Sequence, residues 1–347
     1  MYNELHSFVD LTQEMTITSV ALTSVGAVAV GVFLLRKWVS RKWGVCTLKT
    51  KLNGKVVIVT GGNVGLGAEA AMDLAKRGAT VILACRSWEN TKDTLQMIRT
   101  KSGNNDVHYL HLDLGSLESV RQFAEDVQVK YPEIHTLVCN AGVWYPMEKE
   151  VKTSDGFEAH AGVNHLGHFL LTNLLLDRLA LSAPARVVVV SSALSSSGKI
   201  DFEEYDHFKE GRQPDPSSKS FAPTGYCDSK MMNVLFAKEL SVKASGRGVT
   251  TISLCPGLCS TSIFRNSNAS FWKIFFAMPI LFLFMRSAAS GAQNIIQAVL
   301  EDEDTLVNGG FYQECKMSAE ENAKFDDMSD IGQQLWGISE NLTSLNN

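Results

Sequence analysis

The chain has 347 residues, of which 45% are apolar and 20% charged, and its formal net charge at pH 7 is −5. This composition supports a sizeable core and excludes a disordered protein. The charge is small and spread along the chain, so no nucleic-acid partner is expected. The seven cysteines form no CxxC pair. They are expected to be reduced thiols, with neither a disulfide framework nor a metal site.

The first predicted element is an uncharged run of twenty residues, 16–35. A helix of this length, rising ~1.5 Å per residue, matches a hydrocarbon core about 30 Å thick. Acidic residues precede the run and cations follow it, so the positive-inside rule places the rest of the chain in the cytosol. We therefore predict a transmembrane helix and a basic linker over 1–45. A buried soluble helix is the alternative interpretation.

From residue 54 onward, short Val- and Ile-rich runs alternate with amphipathic segments, which is typical of a parallel sheet covered by helices on both faces. We predict one doubly wound Rossmann-type α/β domain over 46–320, then a C-terminal tail over 321–347. A polar insertion at 195–224 predicts a surface loop over the site. The predicted strands are 55–60, 80–84, 107–112, 136–139, 186–191, 250–255 and a short one near Phe311, and the predicted helices include 68–77, 117–130, 157–179 and 226–241.

A glycine-rich turn (TGGNVGLG, residues 60–67) lies between the first predicted strand and a helix. Glycines let the backbone turn tightly and approach a pyrophosphate, whose charge the positive end of the helix stabilises. Such a turn is weak evidence by itself, but its place between a strand and a helix predicts a dinucleotide site. The candidate cofactor-binding residues in this turn are Gly61, Asn63, Gly65, Leu66 and Gly67.

The end of the second predicted strand indicates which nucleotide is bound. Folds that prefer NAD place an acidic residue here, whereas an arginine accommodates the 2′-phosphate of NADP. In this chain the strand ends with neutral Cys85, and Arg86 follows. The pattern therefore favours NADP(H). An ordinary surface cation is the alternative interpretation of Arg86.

Tyr226 and Lys230 lie four residues apart in a predicted helix, which places them on one face. A tyrosine with its ordinary pKa of ~10 is a weak acid at neutral pH. A neighbouring ammonium favours the phenolate and lowers that pKa toward the range of a general acid/base. The spacing alone is common, and an exposed Tyr–Lys pair is the alternative.

A second apolar segment lies at 271–285, and its continuous apolar part, 274–285, has only twelve residues. It contains Pro279 and is too short to span a bilayer. Two interpretations stay open, a core or lid helix and a flap that dips into the membrane surface.

Together these motifs resemble the short-chain dehydrogenase/reductase family. After the glycine-rich turn come Asn140-Ala141-Gly142, Ser191-Ser192, the YxxxK motif at 226–230 and Pro256-Gly257, in the family's order. The resemblance covers residues 52–315 and rests on several motifs at once. It implies a Rossmann fold and an oxidoreductase that uses a nicotinamide dinucleotide.

The resemblance also implies roles for individual residues. Tyr226 would be the acid/base, Lys230 would bind the nicotinamide ribose and tune Tyr226, and Ser192 would hold the substrate oxygen. Asn164 matches the family asparagine that supports a water relay to the lysine, although a locally bonded helix residue is the alternative. Further cofactor contacts are implied for Asp113, Leu114, Asn140, Gly142, Pro256, Gly257 and Thr261.

Within the family, the chain looks most like the membrane-anchored retinol dehydrogenases, on the residues at 84–86, 164–172 and 226–236. This likeness implies interconversion of a lipophilic alcohol and its carbonyl compound, most directly retinol and retinal. It also implies an endoplasmic reticulum membrane, with the catalytic domain facing the cytosol. A steroid, polyprenoid or general carbonyl reductase stays open, as do a non-catalytic NADP-binding scaffold and a homo-oligomer.

Overall fold

A computed structural model of the chain describes residues 30–146, 149–204, 206–212, 222–260, 278 and 280–345. Most of the predicted spanning run at 16–35 lies outside these residues, as does Thr261. In the described part of the chain, no helix combines the length and the apolar character needed to cross a bilayer.

The described residues belong to two compact units. The smaller unit contains residues 30–43 together with 278 and 280–285, and it is helical over 30–40 and 280–284. The larger unit contains residues 44–260 and 286–345 and holds the sheet.

An eight-stranded sheet forms the centre of the larger unit, with strand order β3-β2-β1-β4-β5-β6-β7-β8. The strands pair in parallel as far as β7, and β8 pairs with β7 antiparallel. All seven predicted strands are present, so the predicted Rossmann-type sheet is confirmed. The strands are β1 (Val56–Thr60), β2 (Thr80–Cys85), β3 (Val107–His111), β4 (Thr136–Cys139), β5 (Ala185–Val190), β6 (Val249–Cys255), β7 (Phe311–Gln313) and β8 (Lys316–Met317).

Eight helices of the larger unit connect or cover these strands. They are α1 (Gly65–Lys76), α2 (Lys92–Ser102), α3 (Leu117–Lys130), α4 (Gly167–Leu181), α5 (Thr224–Lys243), α6 (Ala288–Leu300), α7 (Ala319–Asp326) and α8 (Ser329–Leu342). A π-helix, His160–Leu166, leads directly into α4, and a 3₁₀ turn, Ala193–Ser197, follows β5.

The core has two layers because neighbouring strand residues point to opposite faces of the sheet. On β1, Ile58 packs in the layer that contains Phe123 and Phe169 from α3 and α4. Val57 and Val59 pack in the layer formed with α1, α2 and α6. The sheet is therefore covered on both faces, as the apolar strands predicted.

The C-terminal segment after residue 320, to which the sequence patterns assigned no helix, forms part of the fold. Trp336 on α8 packs against Phe169 and Phe236, with ring centroids 4.9 and 5.9 Å away. Ser339, one turn further along, lies 2.9 Å from Nε2 of buried His165. Helix α8 thus completes the core beside α5.

We predict that acid destabilises the fold through two buried histidines. Burial lowers the pKa of His165 to about 3 and that of His168 to about 4. In the unfolded chain both titrate near ~6.5. The stability that these two neutral histidines contribute is therefore fully present above pH ~6.5 and is lost as the pH falls toward their pKa values in the folded protein. Denaturant unfolding in detergent is expected to lose about 2 kcal/mol per histidine between pH 6.5 and 5.

His165→Gln retains a partner for Ser339 and removes one titrating group, so its pH dependence is expected to be about half as steep. His111→Gln, at an exposed strand end, serves as the control and should keep the wild-type slope. An unchanged slope in His165→Gln would show that His165 is not a source of the acid sensitivity.

Candidate active site

A cleft of about 360 Å³ opens at the carboxyl ends of the central strands. Here the chain order of the sheet reverses, since β1 lies between β2 and β4. Ligands of open α/β sheets bind at such switch points. Nine of the predicted cofactor-binding residues line this cleft: Gly61, Asn63, Gly65, Leu66, Arg86, Asp113, Leu114, Asn140 and Gly142.

The glycine-rich turn forms a cradle at the start of α1. Gly61 and Gly65 have φ values of +63° and +55°, in the left-handed region that favours glycine. A Cβ at Gly67 would lie only 2.4 Å from the Gly61 carbonyl oxygen, so the helix can approach the turn closely. The N-cap residue Val64 makes no side-chain hydrogen bond to the helix. The first amides of α1 can therefore serve an anion, which fits a dinucleotide pyrophosphate.

Thr60, the last residue of β1, connects this turn to β4. Its hydroxyl oxygen accepts the N–H groups of Asn140 and Ala141, at 2.9 and 3.0 Å. The same hydroxyl lies 2.9 Å from Nε2 of buried His168. His168 Nδ1 lies 3.1 Å from the Asn164 carbonyl oxygen. Because a carbonyl oxygen can only accept a hydrogen bond, Nδ1 carries the proton and Nε2 accepts a hydrogen bond from the Thr60 hydroxyl.

Asn164 lies in the π-helix. The wider turns of a π-helix place its side chain at a different angle around the axis from that of a regular α-helix. Its Oδ1 accepts the Val143 N–H at 2.8 Å, and its Nδ2 donates to the Val143 carbonyl at 3.2 Å. Nδ2 also donates to Ser229 Oγ at 3.0 Å. The amide therefore holds the segment after β4 against α5.

Tyr226, Ser192 and Lys230 lie close together next to Gly142, which lines the cleft; a Cβ at Gly142 would lie 3.6 Å from Lys230 Nζ. The Ser192 hydroxyl lies near enough to the Tyr226 hydroxyl to favour its ionised form, and Lys230 Nζ lies 5.7 Å from the Tyr226 ring centroid. Lys230 donates to the Val190 carbonyl at 3.0 Å. Ser191 instead donates its hydroxyl to the Lys230 carbonyl at 2.7 Å. This separates the two serines: Ser192 faces Tyr226, and Ser191 fixes α5 to β5.

The charges of this pair differ from the sequence-based expectation. Burial raises the pKa of Tyr226 above its ordinary value, and this outweighs the lowering by the Ser192 hydrogen bond. The expected lowering by Lys230 is therefore wrong for the protein as described. Burial also lowers the pKa of Lys230 to about 8. At neutral pH the phenol is protonated and most of the lysine is charged.

Two other buried polar groups near Tyr226 were not singled out from the sequence. His160 accepts the Tyr145 N–H at 3.0 Å through Nε2 and donates to Glu158 at 2.7 Å through Nδ1. Its ring lies edge-on to Tyr226, with centroids 6.1 Å apart. The second group, Asp228, lies within the YxxxK motif itself, whereas no local pattern distinguishes His160.

Asp228, between Tyr226 and Lys230, is 2% exposed. It accepts two hydrogen bonds from Arg212, at 3.1 and 2.8 Å, and one from the Lys199 N–H at 2.9 Å. The described parts of the predicted 195–224 loop are thereby fixed to the helix that carries Tyr226.

The remaining predicted residues occupy different places. Gly67 lies beneath the cleft, against Gly61 and Asn140. Pro256 and Gly257 follow β6 and do not line the described cleft. Thr261 lies outside the described residues.

Sequence comparison with known proteins identifies the same family. The short chain dehydrogenase family pattern matches residues 55–212. Human retinol dehydrogenase 12 is 40% identical over 302 residues, covering 85% of this chain and 90% of that protein. Mouse retinol dehydrogenase 11 is 39% identical over 304 residues, covering 87% and 90%. The fold is also that of the Pseudomonas aeruginosa RhlG/NADP complex, at 21% identity and a TM-score of 0.59, covering 75% of this chain and 94% of that one.

We predict that Thr60→Val destabilises the protein and weakens nucleotide binding, whereas Thr60→Ser does neither. Valine removes the shared hydroxyl and leaves the Asn140 and Ala141 amides without their acceptor. Each unsatisfied buried group costs about 1–3 kcal/mol, so a loss of at least about 2 kcal/mol is expected. Denaturant unfolding and NADPH fluorescence titration measure the two effects. Equal stability of the two variants would contradict the assigned role of this hydroxyl.

Proposed function

The chain belongs to the short-chain dehydrogenase/reductase family, and on that premise we propose that it is an NADP(H)-dependent oxidoreductase of lipophilic alcohols and their carbonyl compounds. Retinol and retinal are the proposed substrate pair. The observation that carries this proposal is the convergence of Tyr226, Ser192 and Lys230 beside the cleft. Complete acid/base and carbonyl-binding groups argue against a non-catalytic scaffold.

In the proposed reduction, each side chain has one task. When bound, the nicotinamide supplies the hydride that the carbonyl carbon receives. Ser192 donates a hydrogen bond to the carbonyl oxygen, and Tyr226, kept neutral by burial, gives that oxygen its proton. The Lys230 ammonium stabilises the phenolate that remains. Oxidation of the alcohol uses the same groups in reverse, with Tyr226 accepting the proton.

The choice of NADP(H) is supported by Arg86. Its exposed side chain lines the cleft directly after β2, and buried Cys85 occupies the place where NAD-preferring folds carry an acid. A guanidinium binds phosphate through several parallel hydrogen bonds, which suits the ribose 2′-phosphate.

The retinoid substrate is supported by the names and the similarity of the relatives. Two curated retinol dehydrogenases share 40% and 39% of their residues with this chain over most of its length. Because a fold hosts many substrates, a steroid or other lipid ketone is the outcome to be tested against retinal.

We also infer that the smaller unit contacts a membrane. Four cations, Arg36, Lys37, Arg41 and Lys42, lie in its first segment. Arg36 donates to the Met285 carbonyl at 3.3 Å and lies 4.6 Å from the Phe282 ring centroid, so the two segments are joined. Nine large apolar side chains are 45–62% exposed: Val30, Phe33, Leu34, Leu35, Trp38, Met278, Ile280, Phe282 and Phe284.

Such a concentration of exposed apolar side chains beside cations is typical of a surface that enters the headgroup region of an anionic leaflet. This favours the membrane-flap interpretation of 271–285. With the uncharged run that precedes it, the unit is proposed to anchor the protein in the endoplasmic reticulum membrane, with the catalytic domain in the cytosol.

Membranes containing the wild type are expected to convert all-trans-retinal to retinol faster with NADPH than with NADH. Tyr226→Phe removes the proton donor, so its rate is expected to fall at least about 100-fold. Tyr131→Phe, a partly exposed tyrosine at the end of α3, is the matched control and should keep full activity. Retinol release is measured by chromatography.

A Tyr226→Phe variant that keeps the wild-type rate would contradict the proposed chemistry. If retinal is inert but steroid or lipid ketones are reduced in a Tyr226-dependent way, the chemistry is retained and the retinoid assignment is wrong.

Arg86→Glu is expected to reverse the nucleotide preference. The carboxylate repels a 2′-phosphate and accepts a hydrogen bond from a 2′-hydroxyl, so the ratio of Kd for NADH to Kd for NADPH should fall at least about tenfold. Lys130→Glu makes the same charge change at the exposed end of α3 and should leave the ratio unchanged. Equal ratios in both variants would make Arg86 an ordinary surface cation.

Membrane contact predicts that a fluorescent amino acid at position 282 is quenched by lipids that carry spin labels in their acyl chains. The control is the same label at Met317, an exposed apolar residue of the larger unit, where no quenching is expected. Labels at both positions with the same low quenching would contradict the proposed surface.

A further inference from the structure

The loop that follows β6, residues 256–260, lies between two parts of the proposed site. At its start, the preceding strand β6 is bonded beside Ser192, since Leu254 accepts the Ser191 N–H at 2.7 Å. On the other side of the loop, Gly291 of α6 lies between the loop and the glycine-rich turn. A Cβ there would lie 2.3 Å from Cys259 Sγ and 2.6 Å from the Leu66 side chain. The loop therefore follows the strand beside Ser192 and packs near the glycine-rich turn.

Arg286 holds this loop through both its backbone and its side chain. Its N–H donates to the Leu258 carbonyl, and its carbonyl accepts the Ser260 N–H, both at 2.9 Å. Its guanidinium covers Gly257, where a Cβ would lie 2.5 Å from Arg286 Cζ. Gly257 also has a φ of +80°, so both the backbone conformation and the contact with the guanidinium disfavour a side chain at this position.

The guanidinium of Arg286 forms an ion pair with Glu314. Glu314, directly after β7, accepts hydrogen bonds from both terminal nitrogens of Arg286, at 3.0 and 2.6 Å. The same carboxylate accepts the Gly44 N–H at 2.7 Å. The Arg286 side chain is 6% exposed and that of Glu314 30%. A buried bidentate pair of this kind fixes geometry more strictly than a surface ion pair.

The turn that carries Glu314 is itself strained. Glu314 and Cys315 have φ values of +52° and +59°, in the left-handed region that residues with side chains rarely adopt. Such conformations persist where the surroundings over-determine them. Here the Arg286 pair holds Glu314, and the Cys315 N–H donates to Asn294 Oδ1 at 2.7 Å. The two residues form the loop of the β7–β8 hairpin, a turn that calls for positive φ at both positions, and these contacts hold the Glu314 carboxylate beside Arg286.

We propose that Arg286 and Glu314 are positioning residues, whose ion pair sets the 256–260 loop against Gly291 and the neighbouring Leu66 of the glycine-rich turn, and thereby the affinity for NADPH. The inference rests on the proposed function, because it assigns the loop to the cofactor side of that site. The contacts described here are to the loop and to Gly44, so both are assigned a positioning role and neither a catalytic one.

Three variants separate positioning from simple stability: Arg286→Met, Glu314→Met and the double variant. Each single change removes the opposite charge that the remaining residue pairs with, so the melting temperature is expected to fall. The double variant leaves neither charge without its partner, although the Gly44 N–H still loses its acceptor, so it should melt at a higher temperature than either single variant. Its loop nevertheless lacks the guanidinium contact, and its Kd for NADPH is expected to be about tenfold higher.

Two readouts on the full-length protein in detergent test this, neither of them catalytic. NADPH fluorescence titration gives the Kd, and hydrogen exchange gives the protection of the Ser260 amide, which is expected to fall about tenfold in the double variant. Asp177→Asn breaks the largely exposed Arg247–Asp177 pair and should change neither readout.

A double variant with wild-type melting temperature, wild-type Kd and wild-type Ser260 protection would overturn the proposal and make the pair a purely structural contact. If the wild type itself binds no nicotinamide nucleotide, the proposed function fails. The Ser260 exchange still decides in that case whether the pair holds the loop.

Discussion

The candidate site depends on a positive charge that the fold buries. Lys230 is 3% exposed, and its ammonium donates to the carbonyl at the end of β5. A charge removed from water must be compensated by fixed polar groups, so strand and helix are held in one register around it. Ser191 closes the same contact from the other side by donating to the Lys230 carbonyl. Gly142 lies beside the ammonium, since a Cβ there would be in van der Waals contact with Nζ at 3.6 Å. The position of Tyr226, one turn earlier on α5, follows from this arrangement.

A second set of buried groups is neutral and has a different task. Thr60, His168 and Asn164 form a hydrogen-bonded chain from the glycine-rich turn to the π-helix. Because burial keeps His168 uncharged, one of its ring nitrogens donates and the other accepts. The hydrogen bonds therefore all point the same way, from Thr60 through His168 to the Asn164 carbonyl. The dinucleotide cradle and the side chains that would handle the proton are therefore parts of one rigid network. Asp228 extends that rigidity to the loop at 198–212 through Arg212 and Lys199.

The sequence was sufficient for the sheet and for most of the cleft, because these depend on local patterns. The apolar strands, the turn at 60–67 and Arg86 lie where the periodicity and the strand ends placed them. Contacts across long sequence separations were not accessible in this way: Thr60 and His168 are 108 residues apart. The sign of the Tyr226 pKa shift was wrong because local sequence reveals a neighbouring lysine but not the depth of burial. Helix α8 was missed for a related reason, since its stabilisation comes from Trp336 packing on distant aromatic residues.

The most direct test of the proposed chemistry follows the hydride itself. Retinal would be reduced with NADPH that carries deuterium at nicotinamide C4, prepared separately with the label on each face. We expect the carbinol carbon of retinol to acquire one deuterium from one of the two labelled nucleotides and none from the other, with Tyr226→Phe forming the labelled product at least about 100-fold more slowly. Retinol that contains no deuterium from either nucleotide, or labelled retinol formed equally fast by Tyr226→Phe, would contradict hydride transfer at this site.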